Sequence, residues 1–483
     1  MRWIFGFLLV LTINNCLSQS APQSRPNIIL FIADDVSWDD LGCYGNPDVQ
    51  TPVIDALARD GLLFTNAYLT TSSCSPSRCS MVAGRYPHNT GAPELHMPLP
   101  ADQITFPALL QAADYHTIQA GKFHMGAAVK PAFDDCREVL DGGPGGEGQW
   151  VSTLQQRPRD KPFFAWFASL DAHRSWQVSD EERLHDAASL TVPEIFVDDT
   201  TTRQDLAMYY DEISRFDRSI GEVVEELRAQ SILQNTCLLI IADNGRPFPR
   251  CKTRMYDSGI KTPMVVSWPA KIKFGARCDA LVSTVDFAST ILDIAGLESS
   301  EYFQGKSFES LLKDPGQDFR KYAFAEHNWH DYEAHERMVV SGQYLLVRNS
   351  RPQFALGGPA DSKRSPAHSR LLAAFENESL TTNQKDIFQI PRPTVELFDL
   401  REDPHQFENL ADDPGHKNTL RNLQAALDLW IEGTLDDVPE NLTPDYFNRR
   451  TGLPLDGSGR PTVRGQMPGA KLGAERAVGK PGF

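Results

Sequence analysis

Short, wholly apolar runs are set in a chain that is otherwise mostly polar. Asn27 to Ala33 (NIILFIA), Phe163 to Ser169 (FFAWFAS) and Cys237 to Ala242 (CLLIIA) are the clearest, and Tyr115 to Ala120 reads as a further strand. Segments of this length without a polar face predict strands covered on both sides, as in a mostly parallel sheet flanked by helices. Thr202 to Leu233 has the helical period, with Leu206, Ile213, Phe216 and Ile220 on one side and charged residues opposite. Ser283 to Gly296 repeats the period and ends in glycine. Beyond it, Arg337 to Arg348 alternates around Ser341-Gly342 like a hairpin. The pattern predicts an α/β fold with a mostly parallel sheet flanked by helices, and a hairpin after it.

The strand ends carry the chemistry. Asn27–Ala33 runs into Asp34-Asp35, and Cys237–Ala242 runs into Asp243-Asn244-Gly245. Each pair alone is an ordinary turn signal, since Asp and Asn cap helices and Asn-Gly turns are common. Together they supply three carboxylates and an amide, the hard oxygen ligands that Ca²⁺ or Mg²⁺ prefers, at the sheet edge where open α/β folds bind ligands. Gly121-Lys122-Phe123-His124 follows the 115–120 strand, and Asp171-Ala172-His173-Arg174 follows the 163–169 strand.

Cys74-Ser75-Pro76-Ser77-Arg78 resembles the motif at which type I sulfatases convert cysteine into formylglycine. On its own, Cys74 could equally be a buried thiol ahead of a helix that begins at Pro76. The resemblance extends from about Pro26 to about Trp430, and ends with Glu396-Leu397-Phe398-Asp399-Leu400 and Glu408-Asn409-Leu410-Ala411. It implies an alkaline-phosphatase-like α/β fold, a large mixed, mostly parallel sheet flanked by helices with a smaller C-terminal antiparallel-sheet domain. It also implies one bound calcium, rather than magnesium, held by Asp34, Asp35, Asp243 and Asn244, with residue 74 completing the sphere. It implies Cys74, Arg78, Lys122, His124, His173 and Lys252 as the catalytic set. Lys122 and Lys252 would contact sulfate, His124 would hold a hydroxyl of residue 74, and His173 would protonate the leaving atom. His327, in His327-Asn328-Trp329-His330, and Arg174 are expected to touch the substrate.

Within the family, Asp243 to Pro249 and the stretch around Cys74 are most similar to the heparan N-sulfatase (sulfamidase) branch. Leu170 and Ala172 depart from that branch's His-Asp-Pro-His-Arg motif, and Lys252 stands where it has arginine. A lysine is a point charge without the bidentate grip of arginine. O-sulfate and N-sulfate substrates therefore both remain open.

Length and composition fit a large enzyme of more than one core: 483 residues with a net charge of −17. So acidic a chain is not a nucleic-acid binder, and a sulfated polymer would meet it only at a local basic pocket. The expected division is a signal peptide at 1–20, the α/β domain at 21–315, a smaller sheet-and-helix subdomain at 316–442, and a Gly/Pro/basic tail at 443–483. The tail is expected to wrap the surface without a core of its own, or to hold an anionic polymer. Asp141 to Gly148 is a glycine-rich connection lacking the ending of a phosphate loop.

Arg2, the apolar stretch Ile4 to Ile13 and the small residues near Cys16 read as a cleavable export signal. Export means periplasm or medium for a bacterial source, and lysosome or medium for a eukaryotic one. No other run is long enough to span a bilayer. Apart from Cys16 and Cys74, an even set of cysteines remains, which permits disulfides without fixing a pairing.

The expected activity is removal of sulfate from a sulfated oligo- or polysaccharide, after maturation by a formylglycine-generating enzyme. The alternatives are a phosphatase or phosphonate hydrolase of the same superfamily, and an inactive carbohydrate-binding relative with Cys74 unmodified.

Overall fold

The computed structural model describes residues 25–138, 144–272, 275–457 and 461–466. The 1–20 signal segment, residues 141–143 of the glycine-rich connection and the tail beyond 466 lie outside the described residues.

The apolar runs form the middle of an eight-stranded sheet ordered Asp135–Glu138, His116–Gly121, Phe163–Ala168, Asn27–Ala33, Thr236–Ala242, Met264–Ser267, Leu62–Phe64, Ala276–Cys278. Asn27–Ala33 is parallel to both neighbours, and Met264–Ser267 runs against the strands on either side. Side chains alternate between two cores, as the pleat requires. Ile28, Leu30 and Ile32 pack with Trp166 and Leu239 on one face. Ile29 and Phe31 pack with Phe167, Ile240 and the long helix residues Leu206 and Phe216 on the other.

That helix spans Thr200–Ala229. It starts earlier than its apolar period because Asp199 caps it, accepting from the Thr202 amide. It stops short of Leu233 because Ser231 adopts a left-handed φ of 59°. Its charged side is solvated only in part: Arg218, Glu222, Glu225 and Arg228 are exposed, but others are buried. Arg215 is buried in a pair with Asp171, and Asp217 accepts the Val53 and Ile54 amides at the start of the Pro52–Asp60 helix.

The smaller sheet is antiparallel, ordered Ala323–His327, Glu336–Val340, Tyr344–Asn349, Val395–Asp399. Both of its faces are covered. Ala325, Met338, Leu345, Val347 and Phe398 pack on Tyr68, Met255 and Ile260 of the larger region. Phe324, Val339, Leu346 and Leu397 pack under Leu427 and Trp430 of the Lys417–Thr434 helix.

The described part of the tail wraps the surface, and two of its three described arginines are engaged internally, while Arg450 is exposed beside Glu376. Arg449 pairs with Asp445, and Arg464 reaches Glu94 at 2.8 Å and the Leu95 carbonyl at 2.7 Å. These two arginines are therefore not presented to an anionic polymer. None of the seven described cysteines is disulfide-bonded. No helix among the described residues is long and apolar enough to cross a membrane.

Candidate active site

Register places the chemistry on one sheet edge. Ala33 lies beside Ala242, Ile32 beside Ala168, and Gly121 beside Ala168, so four strands finish at one level. The residues that follow them meet above that edge. Gly121 takes a φ of +94°, and a Cβ there would lie 1.9 Å from the Ala168 carbonyl oxygen. Only glycine lets the chain turn at that point and carry Lys122 over the neighbouring strand.

The Asp34, Asp35 and Asp243 carboxylates are fully buried and converge within 4.8 Å of one another. Each faces a cation. Lys122 Nζ donates to Asp34, Lys252 Nζ to Asp35 at 2.7 Å, and Arg78 Nε to Asp243 at 2.7 Å. Burial pushes the Asp243 carboxyl up in pKa, against the pull of Arg78. Two buried oxygens, Asp34 Oδ1 and Asn244 Oδ1, have no hydrogen-bond partner. Orphaned buried oxygens of this kind call for an explanation. A hard divalent ion among three carboxylates and an amide would provide one, so the donor set fits calcium.

Cys74 opens the Cys74–Ala83 helix directly beside this cluster. Arg78, one helical turn later, projects on the same face. Its Nη1 donates to the Lys122 carbonyl, and its Nη2 is buried without a partner. The thiol is 3% exposed, and burial pushes it up to about 12 despite Lys122 and Lys252 nearby. Lys252 is held opposite because the next residue, Thr253, donates its amide to Ser72. Burial opposes the charge of Lys252, but Asp35 first, with further anionic neighbours, raises its pKa well above the ordinary value.

His124 Nε2 contacts His96 Nδ1 at 2.9 Å, while its Nδ1 is buried without a partner. Burial, reinforced by Lys122, holds its pKa far below the usual imidazole range. His173 sits at the open side, its side chain 31% exposed. Its Nδ1 is bound to the Arg174 carbonyl, which leaves Nε2 facing Asp35 at 3.9 Å and Asp361 at 3.7 Å.

Two residues expected at the substrate are turned elsewhere. The Arg174 guanidinium binds Asp205 through both terminal nitrogens and the Pro247 carbonyl through Nε, and lies over Trp176 and Phe248. With its donors so engaged it braces the His173 loop from behind. His327 is buried against Glu336, 3.0 Å away, and Arg254. From the same segment His330 reaches the cluster instead, its Nδ1 2.7 Å from the hydroxyl of Ser73. Sequence reasoning also passed over Asp361, which lies 3.5 Å from Lys252 Nζ. Its surroundings, Gly357-Gly358-Pro359-Ala360-Asp361, follow no apolar run, so nothing local marks it.

The sequence matches the family described as Sulfatase over residues 26–136 and 149–297. The chain belongs to the sulfatase family. Residues 251–352 match a second description, N-sulphoglucosamine sulphohydrolase, C-terminal. Among curated relatives, an ulvan-active sulfatase of Formosa agariphila is 28% identical, covering 86% of this chain and 77% of its own length. The human N-sulphoglucosamine sulphohydrolase is 29% identical, covering 86% and 91%. A protein solved in complex with its substrate D-glucosamine-2-N,6-O-disulfate superposes with a TM-score of 0.67 at 19% identity, covering 85% of this chain and 98% of its own. A putative sulfatase from Bacteroides fragilis also gives 0.67 at 19%, covering 86% and 97%. The architecture, a large mixed, mostly parallel sheet with a four-stranded antiparallel sheet after it, is thus that of the sulfatases, a family of sulfuric ester hydrolases.

Proposed function

We propose that the protein is an exported, calcium-dependent sulfatase that acts on a sulfated carbohydrate, with Cys74 matured to formylglycine by a formylglycine-generating enzyme. The observation that carries this reading is the buried convergence of Arg78, Lys122 and Lys252 with Asp34, Asp35 and Asp243 around residue 74. A sulfate monoester is anionic and its leaving atom gains charge, so fixed cations aimed at it stabilise the transition state. Calcium held by Asp34, Asp35, Asp243 and Asn244 would supply a further positive charge at the sulfate oxygens.

The thiol does not suit the chemistry: with a pKa near 12 it stays protonated at neutral pH. Formylglycine hydrate would put oxygen where Sγ stands and make it the nucleophile toward sulfur. Lys122 and Lys252 would hold the sulfate oxygens, while Arg78 fixes Asp243 and the Lys122 backbone. His124, kept neutral, can accept a hydrogen from residue 74. His173 presents Nε2 at the open side, where a leaving oxygen or nitrogen would collect its proton.

The names of the ulvan-active and N-sulphoglucosamine relatives support a carbohydrate substrate and leave O-sulfate and N-sulfate both open. Export rests on the Arg2 and Ile4–Ile13 pattern, with a periplasmic, secreted or lysosomal destination according to source. The test is co-expression with a formylglycine-generating enzyme, mass spectrometry of the tryptic peptide Asp60 to Arg78, and assay on sulfated saccharides. Formylglycine at 74 with sulfate release is expected. An unmodified thiol beside a working maturase would overturn the reading.

A further inference from the structure

Asp361 is out of character with its surroundings. Sulfate offers only acceptor oxygens, and the nearby side chains Lys122, Lys252 and Arg78 are donors suited to it. A carboxylate beside an anion is repelled, and the penalty grows as water is excluded. Yet Asp361 is held there firmly. Its neighbour Ala360 donates its amide to Asp331 at 2.8 Å, the side chain of Lys363 reaches the Arg449 carbonyl, and Arg364 reaches that of Gly452 at 2.6 Å. Ala360–Lys363 is a single helical turn bolted between the small-sheet loop and the tail.

The protein leaves one of the two carboxylate oxygens without a close donor. Oδ1 accepts the Ser362 amide at 2.6 Å. Oδ2 stands 3.5 Å from Lys252 Nζ, but that ammonium is already paired with Asp35 at 2.7 Å. The same Oδ2 is 3.7 Å from His173 Nε2, the atom placed to serve the leaving group. A group that leaves toward His173 therefore passes within reach of Asp361, and one acceptor oxygen is there to meet it.

We infer that Asp361 is a specificity-determining residue, whose Oδ2 accepts a hydrogen bond from a donor group of the sugar at, or on the carbon next to, the scissile sulfate. This rests on the sulfatase reading above. With no donor nearer than Lys252 at 3.5 Å, this oxygen has room for one close donor: either the N–H of a sulfamate, which an O-sulfate ester lacks, or a hydroxyl adjacent to an O-sulfate. Aryl sulfates carry neither and draw nothing from Asp361.

The experiment compares matured wild-type enzyme with Asp361→Asn on 4-nitrophenyl sulfate, glucosamine N-sulfate, and a hexose 3-O-sulfate with free neighbouring hydroxyls. Asparagine can keep the Ser362 bond through its oxygen and turns the other position from acceptor to donor. The readout is the ratio of kcat/KM on each sugar to kcat/KM on the aryl sulfate, which a general loss of activity or stability leaves in place. A hydrogen bond to a charged group predicts a fall in that ratio of ~10-fold to ~100-fold. A fall confined to the N-sulfate identifies the sulfamate N–H as donor, and a fall on the O-sulfate identifies the hydroxyl. A ratio unchanged within about twofold, or wild-type turnover of the aryl sulfate with neither sugar accepted, overturns the inference. Absence of wild-type turnover on every sulfate instead removes the sulfatase reading beneath it.

Discussion

Arg78 Nε and Asp243 Oδ2 lie 2.7 Å apart, and neither side chain is exposed to solvent. One comes from the second turn of a helix and the other follows a core strand, so the pair joins the residue 74 helix to the sheet. Removing one partner of a buried pair leaves the other uncompensated, at a cost of about 3–5 kcal/mol. Arg78→Ala should show that loss in chemical denaturation, and Arg78→Lys should recover part of it. A loss under about 1 kcal/mol would mean that the pair does not anchor the helix.

Under the proposed reading Lys122 and Lys252 hold the sulfate oxygens. Replacing either with alanine in the matured, calcium-loaded protein should lower kcat by ~100-fold to ~1000-fold, the usual range for losing one transition-state donor. Steady-state rates with 4-nitrophenyl sulfate measure it. A drop smaller than about tenfold in either variant would remove that lysine from the sulfate contacts.

The orphaned oxygens of Asp34 and Asn244 predict a metal-dependent fold as well as a metal-dependent activity. Chelation should lower the melting temperature and stop turnover, and calcium should restore both, with a Tm that rises with calcium concentration as for any ligand of the native state. Asn244→Ala should need more calcium for the same rise. A Tm indifferent to chelator and calcium would exclude these residues as a calcium site.

Unmatured Cys74 should resist alkylation. An ordinary thiol reacts progressively faster from pH 7 to pH 9 as thiolate forms at a pKa of about 8.5. Burial pushes Cys74 up to about 12, so the folded protein should stay unlabelled by iodoacetamide across that interval and react only on unfolding. Peptide mass spectrometry at each pH provides the check, and rapid native labelling would contradict the burial.

Lys363 gives a pH signature. Burial, followed by Arg449, lowers its pKa from 10.5 to about 7 in the fold. Between those values the unfolded chain binds more protons than the native one, so this residue makes stability rise with pH from about 7 toward about 10. Lys363→Met lacks that term. Its stability relative to wild type should be greatest near pH 6 and decline toward pH 10, as followed by urea denaturation. A constant difference would place the ammonium in solvent.

The fold was legible because the strands Asn27–Ala33, Phe163–Ala168 and Thr236–Ala242 are apolar on both faces. The carboxylates and Lys122 were legible because each directly follows a strand, whereas Lys252 stands well past Ala242. Asp34, Asp35, Lys122, Asp243 and Asn244 need only the strand end and the register to meet. Arg174 carries no mark of its fate, since its partner Asp205 lies on a helix whose packing is set by the sheet. Asp361 and His330 were hidden for a related reason. Asp361 sits in a single helical turn and His330 in a loop, both fixed by Asp331, Ser73 and the tail, contacts that leave no period in the sequence.

Cys74 packs against Leu95, Trp329 and Tyr446, so its cover comes from the larger region, the small-sheet loop and the tail. A ribosome makes residue 446 long after residue 74. Until then the cysteine lacks part of its roof, and afterwards a second protein could reach it only by dismantling the native state. Under the proposed sulfatase reading, the modification at position 74 would have a deadline set by synthesis and folding, and a molecule that folds without it would be committed to the inactive form.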